Sequence, residues 1–334
     1  MSDPSIYTIG WICAIATEYQ AAQLFLDKEH DEATQLSPND NNHYTLGSIG
    51  RHNVVIAALP MGEYGTSSAT AVVKDMIRSF DNIRVCLMVG IAGGAPSSRH
   101  DIRLGDIVVS VPGNGRGSVL QHDFGKQIQG QSFTLTGYLN QPPLLLLAAA
   151  TGVKVKHEKR GNNFHEVITG LLDLEDNRKL RKKYGRPDLA SDVLYESHIE
   201  HPPNMAGATC AVLCGNDPSK IVPRAERTED DDNPAVHYGL IASGNQLIKN
   251  AKLRDKFATE TEVLCFEMEA AGLMNQLPCI VIRGICDYAD THKNDGWQGY
   301  AAMTAAAYAK NLLSEVRADK VEREEKIATL VTSS

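Results

Sequence analysis

Three carboxylates stand beside apolar runs whose composition is typical of buried strands. Glu18 follows the run Tyr7 to Ala14, Glu269 follows Val263 to Phe266, and Asp287 ends the run that starts at Ile280. In open α/β sheets the ligand crevice lies outside the strand ends, so acids there are better candidates for function than acids on helix faces. Acids with separate tasks fit cleavage of a glycosidic bond, in which one carboxyl protonates the leaving group and another activates water.

Another carboxylate can accept hydrogen bonds from two ribose hydroxyls, which gives each of the three acids a task. The alternative is that they are capping or surface charges. Thr17 is a plausible cap for a helix over residues 17–26, and Glu18 would then complement the helix dipole. No nucleophilic-serine elbow or zinc-binding helix motif accompanies these acids. The residues therefore favour a metal-free hydrolase or lyase that acts on a small molecule.

The elements that position these acids alternate between strand and helix as far as Ser110. This rhythm predicts an α/β fold with a mixed, mostly parallel central sheet flanked by helices. The alternation of strands and helices stops at about residue 112 and resumes at about 237. This pattern indicates one domain over 6–316 with a large insertion at 112–237. Residues 317–334 are charged and then small and polar, so a flexible C-terminal tail is expected there.

A glycine-rich turn, Gly90-Ile91-Ala92-Gly93-Gly94, follows the apolar run Ile83 to Val89. Glycine allows backbone amides to approach a ligand, often an anion or a sugar hydroxyl. The turn lacks both the dinucleotide fingerprint and the lysine of a phosphate-binding NTPase loop. It is a candidate ligand contact or simply a tight turn.

The composition excludes several classes of protein. The 334 residues carry a formal net charge of -8, which argues against a general nucleic-acid or membrane-surface binder. Met1 to Ser5 lack the features of a signal peptide and no apolar run is long enough to span a bilayer, so we expect a cytoplasmic protein without a membrane partner. Cys210 and Cys214 are four positions apart, but no histidine or cysteine pair at metal-ligand spacing completes a zinc site. The sequence predicts no metal and no cofactor.

Five motifs in one order resemble the purine nucleoside phosphorylase and methylthioadenosine/S-adenosylhomocysteine nucleosidase superfamily, and most of all its fungal branch. The resemblance covers residues 6–110 and 238–316. Its motifs are Gly90 to Gly94, Gly105-Asp106, Gly239 to Asn245, Phe266-Glu267-Met268-Glu269-Ala-Ala271 and Arg283-Gly-Ile-Cys-Asp287.

The resemblance implies a role for each matching residue. Asp287 would protonate purine N7, Glu269 would hold the ribose hydroxyls and Glu18 would position and deprotonate the attacking water. The further substrate contacts that it implies are Met268 beneath the sugar with Glu267 as support, Ser243, Gly244, Asn245 and Leu247 in the base-binding loop, and Gly90, Ile91 and Gly93 near the sugar or phosphate.

Departures from the family pattern bear on the substrate. Ile91 replaces a common serine, Leu247 a base-stacking aromatic residue and Asn245 an acid, which weakens the case for a methylthio substrate. Phosphorylases typically have a glycine loop with an arginine after the first strand, whereas this chain has Ala14-Ile-Ala-Thr-Glu18. An acid at that place suits water and repels phosphate, so hydrolysis is favoured over phosphorolysis.

The expected function is hydrolysis of the N-glycosidic bond of a purine ribonucleoside of the adenosine, inosine or guanosine type. One alternative is a nucleosidase for AMP or ATP, with Arg224 and Arg227 of the insertion binding the 5'-phosphates. The others are a phosphate-dependent phosphorylase and a non-catalytic nucleoside-sensing domain. Members of the family that the chain resembles form homo-oligomers. The resemblance therefore implies a homo-oligomer for this chain as well, with a dimer as the first expectation.

Overall fold

A computed structural model describes residues 1–332 apart from 114, 131–132, 137–138, 203–209, 216, 229 and 293–294. The strands are β1 (Ile9–Cys13), β2 (Lys28–Glu29), β3 (Tyr44–Ile49), β4 (His52–Ala58), β5 (Val85–Gly94), β6 (Ile107–Ser110), β7 (Val119–Gln121), β8 (Gly125–Lys126), β9 (Thr134–Leu135), β10 (Val236–Ser243), β11 (Val263–Glu267) and β12 (Cys279–Asp287). The helices are α1 (Ala16–Leu24), α2 (Gly65–Ser79), α3 (Leu144–Arg160), α4 (Phe164–Asp173), α5 (Arg181–Tyr184), α6 (Cys210–Leu213), α7 (Ala251–Thr261), α8 (Gln298–Glu315), α9 (Ala318–Val321) and α10 (Ile327–Thr332).

The central sheet is mixed and mostly parallel, which confirms the predicted α/β fold class. Its strands lie in the order β11-β10-β6-β12-β5-β1-β4-β3-β2, and β7 pairs with β10. The pairs β1–β4, β1–β5, β5–β12 and β10–β11 are parallel, whereas β6–β12 and β5–β11 are antiparallel. Because β11 also pairs with β5, one part of the sheet curls into a closed ring of strands.

Apolar residues explain why these strands lie at the centre. Every residue of β1, β6 and β12 is buried, as expected for strands covered on both faces. The alanine-rich helix α8 covers one face and packs against β12 and β5. The contact is close at Gly284, where an added Cβ would overlap the carbonyl of Ala301.

Two segments that the sequence sets apart, the insertion at 112–237 and the tail at 317–334, pack against the rest of the domain. In the described part of the insertion at 112–237, the longest elements are the helices α3 and α4, which pack on α8 and so extend the helical layer of the domain. The tail predicted to be flexible forms α9 and α10, in which Val321 and Ile327 are buried. The Ile327 amide donates a hydrogen bond to the Ile83 carbonyl at 2.9 Å. Residues 333–334 lie outside the described part.

None of the helices in the described part of the chain combines the length and the apolar character that crossing a bilayer requires.

Candidate active site

A cavity of about 450 Å³ lies where β1, β5, β11 and β12 end. The three predicted acids Glu18, Glu269 and Asp287 all line it. Each is at most 6% exposed, so these carboxylates face the cavity with little contact with bulk water. The residues that line the cavity are Ala14, Ile15, Glu18, Tyr64, Ile91, Ala92, Gly93, Gln246, Leu247, Ile248, Phe266, Glu267, Met268, Glu269, Cys286, Asp287, Ala289 and Gln298.

Glu18 is fixed by the backbone on both of its carboxylate oxygens. Oε2 accepts hydrogen bonds from the amides of Ala14 (2.6 Å) and Ile15 (3.2 Å), and Oε1 accepts one from the Ile91 amide (2.8 Å). The helix N-cap is Ile15 and not Thr17 as predicted, and Glu18 satisfies the amide of its own cap. Burial raises the pKa of Glu18, and the nearby Arg283 and these amides oppose that rise.

Arg283 is the buried cation of the site. Its guanidinium has no exposure, pairs with Glu267 and lies 3.5 Å from Oε2 of Glu269. Its attraction to Glu267, Glu269 and Glu18 raises its own pKa against the effect of burial. Nε and Nη1 have no hydrogen-bond partner among the described residues. One positive charge thus compensates a group of three carboxylates.

Glu267 and Glu269 hold different positions although only Met268 separates them. Glu267 accepts hydrogen bonds from the amides of Glu269 (3.2 Å) and Ala270 (3.0 Å), so it closes the turn after β11. Among the described residues, only the Gly65 amide at the start of α2 donates a hydrogen bond to Glu269, and that bond is long (3.4 Å). Burial raises the pKa of Glu269 to about 7, and Arg283 counteracts that rise.

Asp287 is held by the turn that follows β12. Its Oδ1 accepts a hydrogen bond from the Ala289 amide at 2.9 Å, and the Cys286 thiol lies 3.4 Å from Oδ2. Ala289 has a left-handed φ of 51°, which alanine rarely adopts outside a constrained site. Gly93 is opposite Asp287 in the sheet, and a Cβ there would come within 2.7 Å of Oδ1.

Several predicted substrate contacts instead support the walls of the cavity. Ser243 is buried and its Oγ accepts a hydrogen bond from the Ala271 amide (2.9 Å). Asn245 Oδ1 accepts from the amide of Thr66 (3.1 Å) in the first turn of α2. Gly244 packs against His122 and Asp123. Of the predicted base-binding loop, only Leu247 lines the cavity, together with its neighbours Gln246 and Ile248.

Arg224 and Arg227 are not brought to this cavity. Nη1 and Nη2 of Arg227 each donate to Asp106 at 2.6 Å, and His237 binds the same carboxylate at 2.9 Å. Arg224 pairs with Asp192 (3.1 Å) and donates to the hydroxyl of Tyr288 (2.7 Å). The prediction that these arginines bind 5'-phosphates is corrected: their charges are already neutralised within the fold.

Comparisons with known proteins identify several that are similar to this chain. No protein-family model matches the chain. A nucleotide-binding leucine-rich repeat (NLR)-like protein of the fungus Hyaloscypha variabilis is 47% identical over 310 residues, which cover 93% of this chain and 29% of that protein. The ATP nucleosidase Cap17 of Escherichia coli is 24% identical over 310 residues, or 90% of this chain and 50% of that enzyme. The chain therefore spans half or less of these two relatives.

Two further comparisons cover nearly whole proteins. The 5'-methylthioadenosine/S-adenosylhomocysteine nucleosidase of Mycobacterium bovis is 22% identical over 312 residues, which cover 92% of this chain and 95% of the enzyme. The structure of the Helicobacter pylori enzyme of the same name, complexed with a substituted pyrrolidin-3-ol, aligns with a TM-score of 0.57 and 17% identity over 93% of this chain and 99% of that chain. These similarities confirm the predicted resemblance to the nucleoside phosphorylase and nucleosidase superfamily.

Within this superfamily, the fungal NLR-like relative fits the predicted fungal branch. The sequence analysis gave no role to Arg283, Phe266, Tyr64 or Gln298. Arg283 is a charged residue inside the apolar run Ile280 to Cys286. This position could have indicated its role, because a buried charge requires a partner. Tyr64 and Gln298 reach the cavity from helix starts distant in sequence, and no local pattern indicates that.

Gly90→Ala tests the packing of the superfamily's glycine-rich turn. A Cβ at this position would overlap both Arg283 Nη1 and Glu18 Oε1, so the substitution should displace the two groups together. We expect kcat to fall by about 100-fold, since a misplacement of roughly 1 Å has that effect. The measurement is the steady-state rate with a purine nucleoside. Gly170→Ala in α4 is the matched control because its Cβ meets no atom within 4 Å; equal rates in the two variants would contradict the expectation.

Glu269→Gln tests the raised pKa in the same site. With a pKa of about 7 against an ordinary 4.5, folded Glu269 binds a proton that the unfolded chain has released. The free energy of unfolding should therefore fall as the pH rises between these values. Glutamine cannot titrate, so the variant lacks this loss of stability. We expect the melting temperature of the variant minus that of wild type to increase by roughly a few degrees from about pH 5 to about pH 8.

Thermal unfolding at a series of pH values measures this difference. Glu29→Gln, at an exposed glutamate of β2, should show no such trend. A difference of the opposite sign for Glu269→Gln would show that Arg283 keeps the carboxyl ionised.

Proposed function

We propose that this chain is a purine nucleosidase that hydrolyses the N-glycosidic bond of purine ribonucleosides to free base and ribose. The observation that carries the proposal is the convergence of Glu18, Glu269 and Asp287, from separate strand ends, on one cavity. Its volume of about 450 Å³ lies in the range of small-molecule sites. The nucleosidase relatives support hydrolysis of an N-glycosidic bond at this coarse level.

In the proposed mechanism, the carboxyl of Asp287 donates a proton or a hydrogen bond to N7 of the purine and makes the base a better leaving group. The glycosidic bond breaks through an oxocarbenium-like state, as in other glycoside cleavages. Phe266 and Leu247 supply apolar surface beside the base, and Met268 packs beneath the sugar.

Glu269 accepts hydrogen bonds from the ribose hydroxyls, and Glu18 accepts a proton from the water that attacks the anomeric carbon. Three backbone amides hold Glu18 in place, so the carboxylate needs no rearrangement before it acts. Arg283 balances the negative charge that the acids bring to the site.

Hydrolysis is favoured over phosphorolysis by the charge of the cavity. Its described lining contains four carboxylates and neither lysine nor arginine. Inorganic phosphate is bound by cations and multiple donors, whereas water needs a base.

A nucleotide substrate is the second candidate, because the similar Cap17 is an ATP nucleosidase. Since the described cavity wall lacks a cation, 5'-phosphates would extend past its mouth, where Tyr64 and Leu247 are more than half exposed. Assembly into a homodimer remains a prediction, and light scattering on the purified chain tests it.

One experiment separates the candidates. The protein is incubated with adenosine, inosine, guanosine, AMP or ATP, with and without phosphate, in ¹⁸O-enriched water. A nucleosidase releases free base and a sugar labelled at the anomeric oxygen at a rate that does not depend on phosphate. Ribose 1-phosphate as the only sugar product would instead identify a phosphorylase, and saturable binding without release of base would identify a sensing domain. Faster cleavage of ATP than of adenosine would support the nucleotide candidate.

A further inference from the structure

Two histidines and two cysteines meet in a cluster apart from the candidate active site. The cluster consists of His201, Cys210, Cys214 and His292, and one ligand atom from each lies within 4.8 Å of all the others. Each histidine Nδ1 faces both sulfurs. The Cys210 Sγ lies 3.5 Å from His201 Nδ1 and 3.7 Å from His292 Nδ1, and the Cys214 Sγ lies 3.4 Å from each.

These distances match the edges of a tetrahedral zinc site. With Zn–S of about 2.3 Å and Zn–N of about 2.0 Å at tetrahedral angles, each S–N edge is about 3.5 Å. All four S–N distances in the cluster lie within 0.2 Å of that value, between 3.4 and 3.7 Å. Ordinary thiol–imidazole hydrogen bonds would not require each nitrogen to approach both sulfurs, because one ring nitrogen has a single lone pair.

The surroundings orient the ligands. The Nε2–H of His292 donates to the Ile199 carbonyl at 3.1 Å, which directs the lone pair of Nδ1 toward the two sulfurs. The Tyr195 ring stacks on His292 with centroids 4.0 Å apart, and Asp290 Oδ1 accepts from the His292 amide at 2.9 Å. The His201 amide donates to Thr291 Oγ1 at 2.8 Å. Outer hydrogen bonds of this kind are typical of histidines that bind metal.

We propose that His201, Cys210, Cys214 and His292 bind one structural zinc ion. Two thiolates with two imidazoles favour zinc over magnesium or calcium, which prefer oxygen ligands. Four protein ligands complete a tetrahedron, so the ion has no open position for substrate and its role is structural.

The site joins two distant parts of the chain. Three ligands come from the insertion, and His292 follows β12 and Asp287 by five positions. Zinc at this place anchors the insertion to the turn that holds the proposed general acid. The sequence analysis missed it because His292 is far from Cys210 and Cys214 in sequence, and only the fold brings them together.

The first test is the metal content of the full chain, expressed in zinc-supplemented medium and measured by plasma mass spectrometry. We expect about one zinc per chain and X-ray absorption with two sulfur and two nitrogen neighbours. Removal of the metal with a chelator and addition of Co²⁺ should produce thiolate-to-cobalt charge-transfer bands. A chain that contains almost no zinc and takes up neither Zn²⁺ nor Co²⁺ would overturn the proposal.

Variants then identify the ligands. Cys214→Ser and His201→Gln should each reduce the zinc content at least several-fold. His198→Gln is the matched control, because His198 is an exposed histidine of the same segment outside the cluster. If Cys214→Ser fails to fold, the absorption spectrum of the cobalt-loaded wild type still tests whether thiolates bind the metal. Retention of one zinc in both ligand variants would assign the metal to another site and overturn the proposal.

Discussion

Asp287→Asn should lower kcat for purine nucleosides by about 10³-fold and leave the fold intact. A general acid contributes 10²- to 10⁴-fold, and asparagine can no longer transfer a proton to N7. Asparagine has almost the same volume, and its side-chain oxygen can still accept the hydrogen bond from Ala289. The variant should therefore keep the structure of the turn but lose the protonation of the leaving base.

The measurement is base release under single-turnover conditions, with the melting temperature as the check on folding. Asp81→Asn is the matched control, because Asp81 is exposed and its ion pair with Lys326 lies on the surface. A rate within about threefold of wild type for Asp287→Asn would remove this residue from the mechanism.

Glu18→Gln should have the second largest effect, a fall in kcat of about 10²- to 10³-fold with a smaller change in KM. Glutamine cannot accept the proton of the attacking water. It also offers only one acceptor oxygen in place of two, so its amide would face an N–H group of Ala14, Ile15 or Ile91. The loss should therefore appear in the chemical step more than in nucleoside binding.

The pH profile gives an independent test of Glu18. Burial raises the pKa of this carboxyl, and a base acts only when it is ionised, so wild-type kcat should fall as the pH decreases through that raised pKa. The residual activity of Glu18→Gln should lack this acidic decline. Glu32→Gln, at an exposed glutamate, should retain both the rate and the profile of wild type. An unchanged acidic decline in Glu18→Gln would assign the titration to another group.

Local sequence patterns predicted the fold well because the central strands are mostly apolar runs. The strands around β1, β5, β11 and β12 were predicted within a few residues, and Glu18, Glu269 and Asp287 were predicted as acids at their ends. The burial of residues in the C-terminal tail was not predicted, for a physical reason. Val321 stands alone among charged residues and Ile327 follows the charged run 322–326, so only contact with the core reveals that they are buried.

The site was predicted in part, because sequence indicates where a strand ends but not what lies across from it. Asn245 and Ser243 stand in a matching motif, yet their side chains bind the backbone of α2 and of the turn after β11. The partners of Arg224 and Arg227 come from residues up to 126 positions away. No local pattern indicates that these arginines are already paired.

The order of strands across the centre of the sheet also bears on how the protein acquires its activity. β5 lies between β1 and β12 and pairs with both, so its second partner in the centre of the sheet is the last strand to be synthesised. Contacts between residues far apart in sequence form slowly, because the intervening chain must first be closed into a loop. A ribosome-bound chain that has emerged only as far as β10 contains Glu18 but neither Glu269 nor Asp287. Under the proposed function, nucleoside cleavage should therefore begin only after β12 has been synthesised, and chains that end before β12 should be inert.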